Sequence, residues 1–247
     1  MIRLKRAERP AVLDQKTVNF LTEKFKKDGS SVWRIDEIRQ ILLESSFGKC
    51  AFCEARLDEE SKYVEVEHFR NKNDFPDEVV SWNNLLPACK RCNVRKSIHN
   101  VDVDGMIVNP YDDEPRDHIY ISHSRMKSKT PVGRETIEAL YLNQSDRLVS
   151  VRAEIANRME DALEKIRENM DVYLQDKATK RQLRKVTQGL EALFAEACPK
   201  SQFSATAATA ILSNDDYLYI KDKLISINGW QCLEEAEGEA AKCRLNF

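Results

Sequence analysis

The sequence predicts an α+β protein, a small cysteine-bearing core with short strands set in a mostly helical chain. Three observations carry that expectation. Two Cys-x-x-Cys pairs, Cys50/Cys53 and Cys89/Cys92, bracket a central stretch. Between them, Tyr63-Val64-Glu65-Val66-Glu67-His68 alternates apolar and polar residues, the period of a half-buried strand. On either side, apolar residues recur at steps of three and four, the period of amphipathic helices. The expected boundaries are 1–47 for an N-terminal helical segment, 48–110 for the core, and 111–247 for a connector and C-terminal helical region.

The bulk composition agrees with a folded chain. Of 247 residues 42% are hydrophobic, and only 7 Gly and 7 Pro occur, which excludes a disordered or low-complexity class. The basic start, Met1 to Arg6, lacks the apolar run of a signal peptide, and no stretch approaches the roughly 18 apolar residues of a membrane span. The expectation is a soluble cytoplasmic protein with no membrane partner. Thiols stay reduced there, so seven cysteines make a poor disulfide framework. Cys198, Cys232 and Cys243 are scattered and read as buried or idle thiols.

Taken in order, Leu13, Phe20, Leu21 and Phe25 predict a first helix, with Lys16, Lys24, Lys26 and Lys27 on its solvated face and a stop at Asp28-Gly29-Ser30. Ile35, Ile38, Ile41 and Leu42 predict a second helix over about 35–45. Gly48 fits a turn before Cys50, and Asp58 to Ser61 reads as another. The strand places Tyr63, Glu65 and Glu67 on one face and Val64, Val66 and His68 on the other. After Cys92, a short helix is expected from Asn93 to about Ile98, with Asn93 starting it. Asp104-Gly105 suggests a hairpin turn, and His118 to Ser122 a short strand. Beyond Thr130-Pro131-Val132-Gly133 the pattern is helical. Ile155, Met159, Leu163, Ile166 and Met170 mark one long helix, and Leu183, Val186, Leu190 and Leu193 another. Two further helices follow over Ala205–Leu212 and Tyr217–Ile227, then an acidic tail over 234–239.

Chemistry concentrates in the central stretch. Four thiolates in two such pairs suit one tetrahedral structural Zn²⁺, whose binding energy is folding energy for the loop between. Zinc alone leaves Glu67, His68 and Asn93 unexplained. A histidine can accept a proton near neutral pH, while Glu67 and the amide oxygen of Asn93 are hard ligands suited to Mg²⁺ or Mn²⁺. Glu67 and His68 converge on one site if the strand ends there and the backbone turns. A general base beside a hard metal is the equipment of phosphodiester hydrolysis. Lys90, Arg91, Arg95 and Lys96 crowd the second pair and are candidates for binding nucleic-acid phosphates. The competing view has Glu67 paired with one of these cations and His68 packed in the core, in a zinc-knuckle module that binds nucleic acid or a partner and cuts nothing. A net charge of -2 is low for a self-sufficient nucleic-acid binder, so positive charge is either local or shared with a partner.

These residues resemble the HNH (ββα-metal) endonuclease family in its zinc-knuckle form. The match runs through Cys50, Cys53, Glu67-His68, Trp82, Asn84-Leu85, Cys89, Cys92-Asn93 and Lys96. The resemblance implies His68 as general base, Asn84 as the residue bracing its loop, and Asn93 with Glu67 as ligands of a catalytic Mg²⁺ or Mn²⁺. Glu67 stands where the family more often has aspartate, with Glu65 as an alternative ligand. His99, six residues past Asn93, is expected to miss the site, about 120° round a helix. Glu67-His68-Phe69, Asn109-Pro110 and the segment Gly133 to Asn143 resemble, more narrowly, the Septu- and retron-associated branch of HNH proteins. That branch implies anti-phage defence, DNA as the first candidate substrate, and a PtuA-like ABC-type ATPase partner; the helical region after about residue 130 either docks that partner or simply completes the fold.

Overall fold

The computed structural model describes residues 1–57, 64–175 and 179–247. The turn expected at Asp58 to Ser61, and Tyr63, lie outside the described residues. The chain is mostly helical α+β, with two separate two-stranded sheets. It forms two compact units, one built chiefly from Arg3–His118 and Ser128–Leu142, the other from Ile119–Lys127 and Asn143–Phe247. Among the described residues no helix is long and apolar enough to cross a membrane.

In the first unit, α1 (Gln15–Asp28) starts where the Asp14 carboxylate accepts from the Lys16 and Thr17 amides at 2.8 and 2.9 Å. It ends at Gly29, whose φ of 68° is the left-handed cap that glycine adopts without strain. Val18, Leu21 and Phe25 face inward, whereas Phe20, expected in the core, is 68% exposed. It lies two residues from Val18, about 200° round the helix. Helix α2 (Asp36–Ser45) buries Ile38 and Leu42 as its spacing predicts. Both helices close over Val66, Val79, Val80, Trp82 and Leu85.

Strands β1 (Val64–His68) and β2 (Leu85–Cys89) pair antiparallel, with Val64 opposite Cys89 and His68 opposite Leu85. Helix α3 (Lys90–Lys96) follows β2 without a break. It begins earlier than its sequence suggests because Cys89, not Asn93, is the N-cap: the Cys89 sulfur accepts from the Cys92 amide at 3.4 Å. The turn after Asn100 is not a hairpin. Asn100 instead caps it, its carbonyl accepting from Asp104 N at 2.7 Å while Asp104 returns a carboxylate to Asn100 N. The unit is completed by α4 (Pro115–His118) and α5 (Pro131–Ala139), the latter capped by Thr130.

In the second unit, β3 (Ile119–Ser122) pairs with β4 (Arg125–Ser128), a strand with no apolar alternation to announce it. Asn143 supplies what the pattern lacks, accepting from Met126 N and donating to Met126 O, both at 2.8 Å. Helices α6 (Ser150–Leu174) and α7 (Lys180–Ala197) bury Met159, Leu163, Ile166 and Met170 against Val186, Leu190 and Leu193. Gly189 is required there, since a Cβ would stand 2.8 Å from Ile166 Cγ1. Helix α8 (Ser204–Leu212) is buried almost all round, and α9 (Asp215–Ser226) packs through Tyr217, Ile220 and Leu224. The acidic stretch is no tail. It opens α10 (Glu234–Cys243), where carboxylates in the first turn favour the helix N-terminus, and Glu237 takes hydrogen bonds from Tyr217 and Lys221.

Candidate active site and metal centre

The four cysteines of the two pairs meet. One turn carries Cys50 and Cys53, closed by Cys50 N to Ala55 O at 2.9 Å and pinned to β2 by Ala51 N to Pro87 O at 2.9 Å. Cys89 ends β2, and Cys92 sits in the first turn of α3. All four sulfurs lie within 4.8 Å of one another, with Cys53 Sγ and Cys89 Sγ 3.7 Å apart. Tetrahedral zinc with Zn–S bonds near 2.3 Å needs sulfurs about 3.8 Å apart. Cys50, Cys53 and Cys92 are buried. Hydrogen bonds from the Cys50, Cys53 and Cys92 thiols drive Cys89 well below the usual thiol range. Crowded sulfurs that share protons this way gain from a cation, so geometry and chemistry both fit structural Zn²⁺.

Beside this centre lies a cleft of about 200 Å³, lined among others by Glu65, Glu67, His68 and Asn93. His68, the last residue of β1, is 5% exposed. Its Nε2 lies 2.9 Å from Val79 O. A carbonyl only accepts, so Nε2 carries the proton, and Nδ1 is left as the acceptor of a neutral imidazole. Trp33 meets the ring edge-on, centroids 4.8 Å apart. Burial pulls the imidazole down to about 4, assisted by the charges of Lys72 and Lys96. It is therefore neutral at pH 7.

Glu67 reaches the same cleft but is already paired. Its Oε1 is 3.0 Å from Lys96 Nζ, with both side chains buried. Lys96 also donates to His68 O at 2.7 Å. Burial pushes the Glu67 carboxyl up to about 7 against the pull of Lys96. Of the two views open in the sequence, the pairing of Glu67 with a nearby cation is what the fold adopts. Glu65 also lines the cleft and has no ion pair among the described residues. Asn93 lies on the inward side of α3, not at its start, and opens onto the cleft.

Asn84 does not line the cleft. It is 3% exposed and fastens the loop that follows His68. Its Oδ1 accepts from Arg70 N at 2.7 Å, and its Nδ2 donates to Arg70 O at 3.0 Å and Glu78 O at 3.1 Å. Holding Glu78 holds Val79, whose carbonyl fixes the histidine. Asn71 adds a second fastening, from Nδ2 to Asp74 at 2.8 Å and to Ile98 O at 3.0 Å.

The cations are distributed differently from their crowding in sequence. Lys96 is a buried strut under residues 67 and 68, not a surface group open to phosphate. Arg91 donates to Tyr141 O at 3.2 Å and to Cys92 Sγ at 3.3 Å. Arg95 is exposed and lies over the Tyr141 ring at 4.8 Å, and Lys90 is exposed. None of the four lines the cleft, whose cations are Arg34 and Lys72. Sequence reading missed both, along with Trp33 and Asn71, because no motif spacing joins them to His68. His99 misses the cleft as expected, though for another reason. The helix stops at Lys96, Ser97 turns the chain at φ 46°, and His99 Nε2 bonds Gly105 O at 2.8 Å.

No family model and no solved structure matches the chain. Two curated proteins do. The chain is 41% identical over 231 residues to Septu protein PtuB of Bacillus thuringiensis, covering 93% of this chain and 89% of that protein. It is 26% identical to Septu protein PtuB of Bacillus mycoides (strain KBAB4), over 65% of this chain and 68% of that one. An alignment of 231 residues is too long to lie within either compact unit, and on its identity and reach the chain belongs to the Septu PtuB family.

Proposed function

We propose that the chain is a metal-dependent HNH-type endonuclease that hydrolyses nucleic-acid phosphodiesters, DNA first among them, in Septu anti-phage defence beside a PtuA-like ABC-type ATPase. The observation that carries this reading is the state of His68. It opens onto a cleft, and its Nε2 donates to Val79 O, which leaves Nδ1 as the basic atom. A merely packed histidine has no need of a cleft or of a braced loop behind it.

In this mechanism His68 takes a proton from water at Nδ1 as that water attacks phosphorus in line, leaving a 5′-phosphate and a 3′-hydroxyl. Val79 O and the indole of Trp33 keep the ring from swinging away as it gains charge. Asn84 acts through Val79. Glu65, Glu67 and Asn93 line the same cleft and would offer hard oxygens to Mg²⁺ or Mn²⁺, Glu67 while keeping Lys96. When bound, such a metal stabilises charge on the phosphate and the departing oxygen. The cysteine centre holds β2 and α3 in place and takes no part in the chemistry.

The test is plasmid nicking with Mg²⁺ or Mn²⁺, with and without the ATPase. His68→Ala is expected to lower the rate by about a thousandfold or more while the protein stays folded. Undiminished nicking by His68→Ala would remove His68 as the base. No cleavage by wild type under any of these conditions would favour a binding module instead.

A further inference from the structure

Charge in the cleft is uneven in a way the catalytic reading does not use. Its carboxylates are Glu65 and Glu67, and the charge of Glu67 is met by Lys96 at 3.0 Å. Its lining cations are Arg34 and Lys72. Lys72 lies in the loop behind His68, and Arg34 in the segment between α1 and α2. Neither forms an ion pair among the described residues, although the charge of Lys72 reaches Glu67 and pulls its carboxyl down. Arg70, only two residues from Lys72, is by contrast tied to Asp102 at 3.0 Å and Glu78 at 3.3 Å. Lys72 Nζ is instead held over the Trp33 ring, 5.3 Å from its centroid, and the same ring touches His68. A cation on an aromatic face keeps its charge available to an anion.

We propose that Arg34 and Lys72 are the phosphate clamp of this site, holding the phosphodiester against His68 while the exposed cations of α3 are left to flanking backbone. The clamp rests on the nuclease reading and names the group that receives the substrate's charge. It also gives the N-terminal helices a task. Packed in one core with Val66 through Val18, Leu21, Ile38 and Leu42, α1 and α2 bring Trp33 to the imidazole and Arg34 to the cleft. Two unpaired cations facing a neutral base suit an anionic diester. Arginine can grip two phosphate oxygens at once, and lysine acts as a point charge.

The experiment measures binding apart from cleavage. Full-length His68→Ala protein is titrated against fluorescein-labelled single- and double-stranded DNA and RNA oligonucleotides over a range of salt. In that background Lys72→Met and Arg34→Gln are each expected to weaken binding about fivefold and to flatten the dependence of log affinity on log salt by about one. Lys72→Arg is expected to restore both. In the wild-type background the same substitutions are expected to raise KM more than they lower kcat. If the parent binds and both neutral substitutions leave affinity and salt slope unchanged, the clamp is wrong and the nuclease reading stands. If binding responds as expected but His68→Ala still cleaves at full rate, the clamp holds and the base assignment falls. A wild-type chain that neither binds nor cleaves any oligonucleotide removes both.

Discussion

The cysteine centre and the His68 cleft share α3 yet are held by different physics. In the centre, each Cys-x-x-Cys pair presents two sulfurs to one point by local spacing, and the bond from Ala51 N to Pro87 O helps bring the two pairs together across 36 positions. In the cleft, the working groups come from four places: the α1–α2 connection, β1, the loop behind it, and α3. Buried hydrogen bonds and one buried ion pair hold them. The comparison teaches that spacing alone arms each half of the cysteine cluster, whereas a buried imidazole is set by packing from several segments of the chain.

Breaking the centre should have the largest effect. Cys89→Ser removes a ligand while leaving a hydroxyl able to cap α3, and structural zinc contributes on the order of 10 kcal/mol to the folding of small sites. The expected result is loss of bound zinc, measured by elemental analysis, and loss of the cooperative unfolding of the first unit. A zinc-free variant that still melts cooperatively would show that the cysteines are not the platform.

Next comes the ion pair. Lys96→Met strands Glu67 in a buried position and should cost about 3–5 kcal/mol in urea unfolding. Adding Glu67→Gln removes the stranded charge and should recover much of that loss. Equal stability of the single and double variants would mean that Glu67 and Lys96 do not depend on each other.

Asn84→Ala should be milder, about 2–3 kcal/mol, for three hydrogen bonds lost from a buried side chain. Because Asn84 acts through Val79, cleavage should fall by more than binding does. A loss of stability with kcat untouched would make the brace purely structural.

The smallest effect sharpens the cleft itself. The value for His68 is lowered from 6.5 to about 4, so the ring stays unprotonated as pH falls through the ordinary histidine range. An NMR titration should show no midpoint for His68 between about pH 5 and 8, and the acid limb of cleavage should lie below the usual histidine range. A midpoint between about 6 and 7 would mean that the ring is not buried as described.

Much of this fold could be read from local rules. Asp14, Gly29 and Thr130 mark helix ends where capping chemistry puts them. Val64 and Val66 alternate as a strand requires, and Met159, Leu163, Ile166 and Met170 keep helical spacing into a core. Strand β4 and the start of α3 escaped because the deciding contact lay elsewhere, in Asn143 for the strand and in the sulfur of Cys89 for the helix.

By itself the sequence determined the cysteine quartet, the pairing of Glu67 with His68 at the end of a strand, and the helical periods on either side. Within each cysteine pair, at the strand end and along each helix the residues are a few positions apart, and spacing encodes such relations directly, whereas the two pairs meet across 36 positions. Tertiary structure alone decided that Glu67 is met by Lys96, that the α3 cations stay out of the cleft, and that Trp33, Arg34 and Lys72 enter it. Those outcomes depend on which segments a shared core draws together. A charge run can show that cations are present, but only packing sets which of them is buried against a carboxylate and which is left free beside the base.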